Sequence, residues 1–171
     1  MVIALMSDLH DNVVAWNSIV AMLKQMKIER LINCGDTCAP DMLKDMATTF
    51  SGQIDTVYGN VADRELEMSV VKTLNNVTHY GDAGTIEIDE KKIFFNHFPK
   101  EAEAAAKTGN YDLVCHGHTH LKRWEPFDKL RANIHQCMIL NPGTAGGMFQ
   151  YPSFAILNLQ TMQCSFIDIT L

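Results

Sequence analysis

A chain of 171 residues that is 47% hydrophobic and carries a formal net charge of −6 has the size and apolar content of one domain, residues 1–171, with a single core. The acidic balance argues against an extended nucleic-acid surface, because neutralising many phosphates takes a surplus of Lys and Arg. Residues 1–6 are apolar but reach Asp8 too soon for a signal sequence or a membrane span, and the five cysteines form an odd set without a Cys-x-x-Cys pair, which suits reduced thiols in the cytoplasm.

Residues 2–6 predict a strand, and Val13, Trp16, Val20 and Leu23 follow at spacings of three and four, one face of a helix. Residues 30–34 predict a second strand ending at Gly35-Asp36, and Pro40 precedes a helical pattern through Met42, Leu43, Met46 and Phe50. Residues 54–58 predict a third strand ending at Gly59-Asn60, followed by a helix carrying Leu66, Val70 and Leu74. This alternation implies a largely parallel sheet. From Asn76 strands dominate: residues 85–89 pair with 91–95 as a hairpin whose Ile86 and Ile88 share one face. Pro99 and Gly109 bracket a helix, residues 112–115 form a strand running into a His-rich segment, and residues 154–169 form a closing hairpin. The expected architecture is α/β, two packed sheets with helices outside.

Ligands of α/β proteins gather outside the carboxyl ends of the strands, so residues just after these apolar runs meet at one sheet edge. Asp8-Leu9-His10 offers a carboxylate and an imidazole two residues apart, able to point the same way. Asp36 and Asn60 each follow a glycine, a pairing that taken alone is most often a turn, and His97 between Phe95 and Phe98 taken alone is a packed histidine. His116-Gly117-His118-Thr119-His120 is harder to explain by packing and easy to explain by metal ligation. Their joint occurrence makes a two-metal site the natural reading.

The ordered segments Ser7-Asp8-Leu9-His10-Asp11-Asn12, Gly35-Asp36, Gly59-Asn60, the isolated His97, Gly117-His118-Thr119-His120 and Asn141-Pro142-Gly143-Thr144 resemble the calcineurin-like metallophosphoesterase superfamily, specifically its small single-domain phosphodiesterase branch. The resemblance covers residues 7–144. It implies a four-layer αββα sandwich of two mixed sheets, with the metal site at the carboxyl ends of the strands. It also implies that one ion is held by Asp8, His10, Asp36 and His120 and the other by Asp36, Asn60, His97 and His118, so that Asp36 bridges. The implied activity is hydrolysis of a small phosphodiester by in-line attack of a metal-bridging hydroxide. A phosphomonoesterase with the same core, and a non-catalytic protein-binding scaffold of the same fold, are the alternatives.

The ligand types make chemical sense on their own. Imidazole, carboxylate and amide oxygen together suit borderline ions, manganese first, with nickel, iron, cobalt or zinc as further choices, and a bridging carboxylate can hold two ions about 3.5–4 Å apart. Two divalent ions set against Asp8, Asp36 and a bridging hydroxide retain a single positive charge, so the neutral Asn60 leaves the cluster able to attract a phosphate anion.

Several positions depart from the superfamily pattern. Many members follow Gly-Asn with a histidine credited with helping the leaving group depart, where this chain has Val61, so Asp63 becomes a candidate acid and Arg64 a candidate phosphate contact. The residue-level alternative is that Asp63 and Arg64 simply begin a solvated helix. Asn12 is a phosphate contact by resemblance and a helix cap by position. Asp11 adds negative charge where relatives usually have glycine, and His116 is a second-layer partner or a substrate contact. His79 and His135 read as ordinary fold histidines, residues 141–144 as a supporting turn, and the apolar residues outside the motif strands as able to support a homodimer.

Overall fold

The structure, a computed structural model, describes residues 1–127 and 136–170; His135 lies outside the described residues. The first half alternates as its apolar spacing requires: β1 (Val2–Met6), α1 (Val13–Gln25), β2 (Arg30–Asn33), α2 (Pro40–Thr49), β3 (Gln53–Thr56), α3 (Arg64–Val71) and β4 (Val77–His79). Next come β5 (Ala83–Ile88), β6 (Lys91–Asn96), α4 (Pro99–Lys107), β7 (Leu113–Cys115), β8 (Arg123–Pro126), β9 (Met138–Asn141), β10 (Ser153–Asn158) and β11 (Gln163–Asp168).

One sheet has the order β11-β10-β1-β2-β3-β4 and the other β5-β6-β7-β9-β8. Strands β1 to β4 run parallel, and β10 returns antiparallel to β1 before pairing with β11. In the second sheet β6, β7 and β9 are parallel, with β5 and β8 antiparallel at the edges.

Side-chain alternation along β1 builds the layers. Ala4 and Met6 face a cluster that includes Trp16, Leu23, Met46 and Phe50 of the α1 and α2 region. Ile3 and Leu5 face the opposite way, into a cluster with Phe95, Leu113 and Leu140 of the second sheet. Val114 and Ile139 then meet Ala106 of α4 on the outer side of that sheet. The result is the expected sandwich of helices, sheet, sheet and helix. Among the described residues, no helix is long and apolar enough to cross a membrane.

Two details differ from the expected pattern. β2 and β3 stop at Asn33 and Thr56, short of residues 34 and 58, because the chain leaves the ladder for the turns at Gly35 (φ +95°) and Gly59. The expected apolar face of α3 forms only in part: Leu66 is 53% exposed, Leu74, beyond the helix end, packs with Val71 against the first core cluster, and the residue that α3 buries fully is Glu67. Its carboxylate meets His79 Nε2 at 3.1 Å, so a buried polar pairing joins Val71 and Leu74 in setting which side of this helix faces inward.

Candidate metal centre

The loops after β1, β2, β3, β6 and β7 converge at the carboxyl ends of the parallel strands and carry the seven residues singled out in the sequence. Five of the seven hold a left-handed backbone: Asp8 (φ +57°), His10 (+49°), Asp36 (+53°), His118 (+67°) and His120 (+61°). Such conformations are unfavourable for non-glycine residues and persist where surrounding structure enforces them. Here the enforcement is a lattice of backbone bonds: Asp8 N donates to Gly35 O and His10 N to Asp36 O, while Ala145 N and Gly146 N donate to Ser7 O and Asp8 O.

The side chains form two groups that meet at the carboxylates of Asp8 and Asp36. His120 Nε2 lies 3.2 Å from Asp8 Oδ1, and His10 Nε2 lies 3.9 Å from both Asp8 Oδ1 and Asp36 Oδ2. On the other side His97 Nε2 is 3.3 Å from Asp36 Oδ2 and 3.0 Å from Asn60 Oδ1, and His118 Nδ1 is 2.9 Å from the same amide oxygen. Asp36 Oδ2 thus stands within reach of histidines from both groups.

The donor set fits divalent cations. Carboxylate oxygens, an amide oxygen and imidazole nitrogens turn lone pairs toward one another, and Asp8 Oδ1 and His10 Nε2 are buried without any hydrogen-bond partner. An inward-facing group of acceptors requires a cation or a proton among them. In the metal-free chain a proton serves between Asp36 and His97: burial would raise the Asp36 carboxyl, but the hydrogen bond and charge of His97 hold it below its ordinary value. Reciprocally, burial would depress the His97 imidazole, yet the Asp36 carboxylate lifts it above its ordinary value.

Outer contacts aim these groups. His97 Nδ1 is 2.9 Å from Cys34 O and His120 Nδ1 is 2.9 Å from Met148 O, and His118 N donates to Asp8 Oδ2 at 3.1 Å. The Asn141-to-Thr144 turn plays the supporting part expected of it: Asn141 Nδ2 donates to Gly117 O at 3.0 Å, and Thr144 Oγ1 to Asp8 O at 3.0 Å. His116 is 2% exposed and bonds through Nδ1 to Gly117 O, and burial pushes its imidazole toward the neutral form. His79, tilted against the Tyr58 ring and bonded to Glu67, is an ordinary fold histidine.

The remaining candidates have other partners. Asn12 caps α1 by accepting from Ala15 N at 3.0 Å, and its amide donates to Gly146 O at 2.8 Å. Asp63 caps α3 by accepting from Leu66 N at 3.1 Å. Arg64 pairs with Asp82 and lies 4.6 Å over the Tyr58 ring. Asp11 accepts from Ala39 N at 2.8 Å and so fastens the loop that carries Asp36.

Sequence reasoning missed Cys38 and two aromatic rings. Phe98 meets His97 and His118 edge-on, each at 5.0 Å, and Phe149, 87% exposed, stacks on His120 at 5.8 Å. Cys38 Sγ lies 3.3 Å from His10 Nδ1; burial and the carboxylates of Asp11, Asp36 and Asp8 push its thiol up to about 12. The available signal was proximity alone: Cys38 is two residues from Asp36, and Phe98 adjoins His97.

The chain matches the calcineurin-like phosphoesterase superfamily domain over residues 1–162, and it belongs to that superfamily. Phosphodiesterase MJ0936 of Methanocaldococcus jannaschii is 28% identical over 163 residues, 94% of each chain. A solved archaeal phosphodiesterase superposes with a TM-score of 0.86 at 27% identity, covering 99% of this chain and all of its own. The phosphoesterase YfcE of E. coli (TM-score 0.66, 16% identity) and zinc-complexed Vps29 of Entamoeba histolytica (0.67, 16%), each covered in full against 99% of this chain, share the fold.

Proposed function

We propose that residues 1–171 act as a single-domain, metal-dependent phosphodiesterase that hydrolyses a small phosphodiester at a dinuclear centre. The observation that carries this reading is Asp36 Oδ2, set 3.9 Å from His10 Nε2 and 3.3 Å from His97 Nε2, a bridging position between two groups of acceptors. Similarity to phosphodiesterase MJ0936 and to the archaeal phosphodiesterase structure supports the diester as substrate class. Asp8, His10, Asp36 and His120 would hold one ion and Asp36, Asn60, His97 and His118 the other, with manganese the first choice. When bound, such ions supply positive charge for the phosphate oxygens and make water a nucleophile near neutral pH.

The chain itself then orients and screens. Asn60 contributes an oxygen without a charge, which keeps the centre attractive to an anion. Asn12 retains one amide hydrogen beyond its bond to Gly146 O, and we assign that hydrogen to a phosphate oxygen. Asp63 and Arg64 stand exposed just past Asn60 and are our candidates for protonating the leaving group and contacting phosphate. The five free cysteines accord with a cytoplasmic location.

The test is hydrolysis of a bis-aryl phosphate and the matching aryl monoester by chelator-stripped protein, with manganese, nickel, zinc or magnesium restored separately. Diester turnover that requires added metal is the expected result; monoester preference would make the protein a phosphatase, and silence with every metal would overturn the enzymatic reading. Val61 cannot transfer a proton, so if Asp63 stays engaged as the α3 cap, aryl diesters should turn over faster than alkyl diesters by about 10²-fold or more, the scale of one missing general acid. Equal rates, with chemistry shown to be the slow step, would instead mean that Asp63 or another acid is in place.

A further inference from the structure

Three imidazoles reach the centre through Nε2, and they are not held alike. A carbonyl oxygen can only accept, so the bonds from His97 Nδ1 to Cys34 O and from His120 Nδ1 to Met148 O put a proton on each Nδ1, and in the neutral ring that leaves the lone pair on Nε2. His10 has no such carbonyl. Its Nδ1 meets the sulfur of Cys38 at 3.3 Å, and a thiol can either donate or accept.

The direction is decided one bond further out. Cys38 Sγ donates to Asp36 O at 3.8 Å, which uses the only hydrogen the thiol has. With its hydrogen on Asp36 O the sulfur presents a lone pair to His10, which makes His10 Nδ1 the donor. Nε2 is then bare, and it faces Asp8 Oδ1 and Asp36 Oδ2, each 3.9 Å away. That account agrees with a further feature, the lack of a hydrogen-bond partner for both His10 Nε2 and Asp8 Oδ1 although both are buried.

The backbone is shaped to keep the sulfur there. Cys38 sits at φ +80°, a conformation unfavourable for a non-glycine residue. Bonds on either side stabilise it: Asp11 N donates to Thr37 O at 3.2 Å, and Ala39 N donates to Asp11 Oδ1 at 2.8 Å. Asp11 thus has a definite task, fastening the turn that carries the thiol.

We propose that Cys38 is a positioning residue whose thiol, bonded to the Asp36 carbonyl, accepts the Nδ1 hydrogen of His10 and fixes the imidazole in the tautomer that offers Nε2 to a divalent cation. The cation half of this statement rests on the dinuclear reading above; the tautomer half does not. A thiol is a weaker acceptor than a carbonyl, so His10 is the least firmly aimed of the three imidazoles and the one most sensitive to its outer partner.

The experiment compares wild type with Cys38→Ala, Cys38→Val and Cys38→Ser in two measurements. Nitrogen-15 NMR of the metal-free protein at alkaline pH reads the His10 tautomer, and calorimetric titration with Mn²⁺ alone reads ion affinity. Cys38→Ala and Cys38→Val should mix the tautomers and weaken one ion-binding step by about 10–100-fold, the range for losing an outer partner of a metal ligand. Cys38→Ser should restore both, since a hydroxyl also donates and accepts. An unchanged His10 tautomer in Cys38→Ala, or a Cys38→Ser protein as impaired as Cys38→Ala, would overturn the proposal. If wild type bound no Mn²⁺ the dinuclear reading would fall, and the NMR comparison would still decide the role of Cys38.

Discussion

Asp36→Ala is expected to lower metal-dependent diester hydrolysis by about 10³-fold or more, beyond the 10²–10³ typical of deleting one transition-state donor. The reason is that Asp36 serves both groups: its Oδ2 faces His10 and His97, and its Oδ1 accepts from Val61 N at 3.2 Å, which fastens the loop bearing Asn60. Removing it should disable both ion positions and loosen Asn60 at once. A stability measurement separates this from simple unfolding. Wild type at a free metal concentration of 100 times the dissociation constant should gain about 2.7 kcal/mol, because an ion that binds only the folded chain stabilises it by mass action. The Asp36→Ala protein should fold when metal-free yet show little of that gain. Asp36→Asn preserves shape but not charge, and should recover the Asn60 loop without the ion-dependent stabilisation. Near-normal turnover by either variant would show that Asp36 does not bridge.

Much of this centre was legible in the sequence, and physics explains which part. Parallel strands joined by helices deliver their carboxyl ends to one edge, so Asp8, Asp36 and Asn60, each just past a short apolar run, had to be neighbours. The glycines were legible as freedom to turn, but their tighter constraint needed coordinates: a Cβ on Gly59 would sit 1.7 Å from Asp36 Oδ1 and 2.4 Å from Asp36 N. β8 was invisible because all four of its residues are half-buried at a sheet edge, without the in-out alternation that reveals a strand, and Pro126 suits only such an edge. The inward side of α3 was partly misread because Glu67 is buried by its partner, His79, and a pairing across 12 residues leaves no periodic trace. Cys38 belongs to the same class. Its role depends on a left-handed backbone and on a bond to a histidine 28 residues away, neither of which a spacing rule encodes.

Gly117→Ala tests whether the centre tolerates any added volume, and the expected effect is large in both stability and activity. The new Cβ would lie 1.8 Å from Ser7 Oγ, 2.8 Å from Ser7 Cβ and 2.7 Å from Asp8 Oδ2. None of these atoms can retreat freely: Ser7 and Asp8 are fully buried, Ser7 Oγ donates to Cys34 O at 3.2 Å, and Asp8 Oδ2 accepts from His118 N at 3.1 Å. Overpacking of this kind costs about 1–3 kcal/mol, measurable as a lower denaturant midpoint with an unchanged slope. Ser7→Gly combined with Gly117→Ala discriminates between the two collisions. The double variant removes both Ser7 atoms from the path of the new Cβ and should regain part of the stability. Asp8 still has to move in that protein, so Mn²⁺ affinity and diester turnover should stay low. Full recovery of both in the double variant would mean that Asp8 adjusts without consequence, and that its carboxylate does not hold an ion in the geometry described.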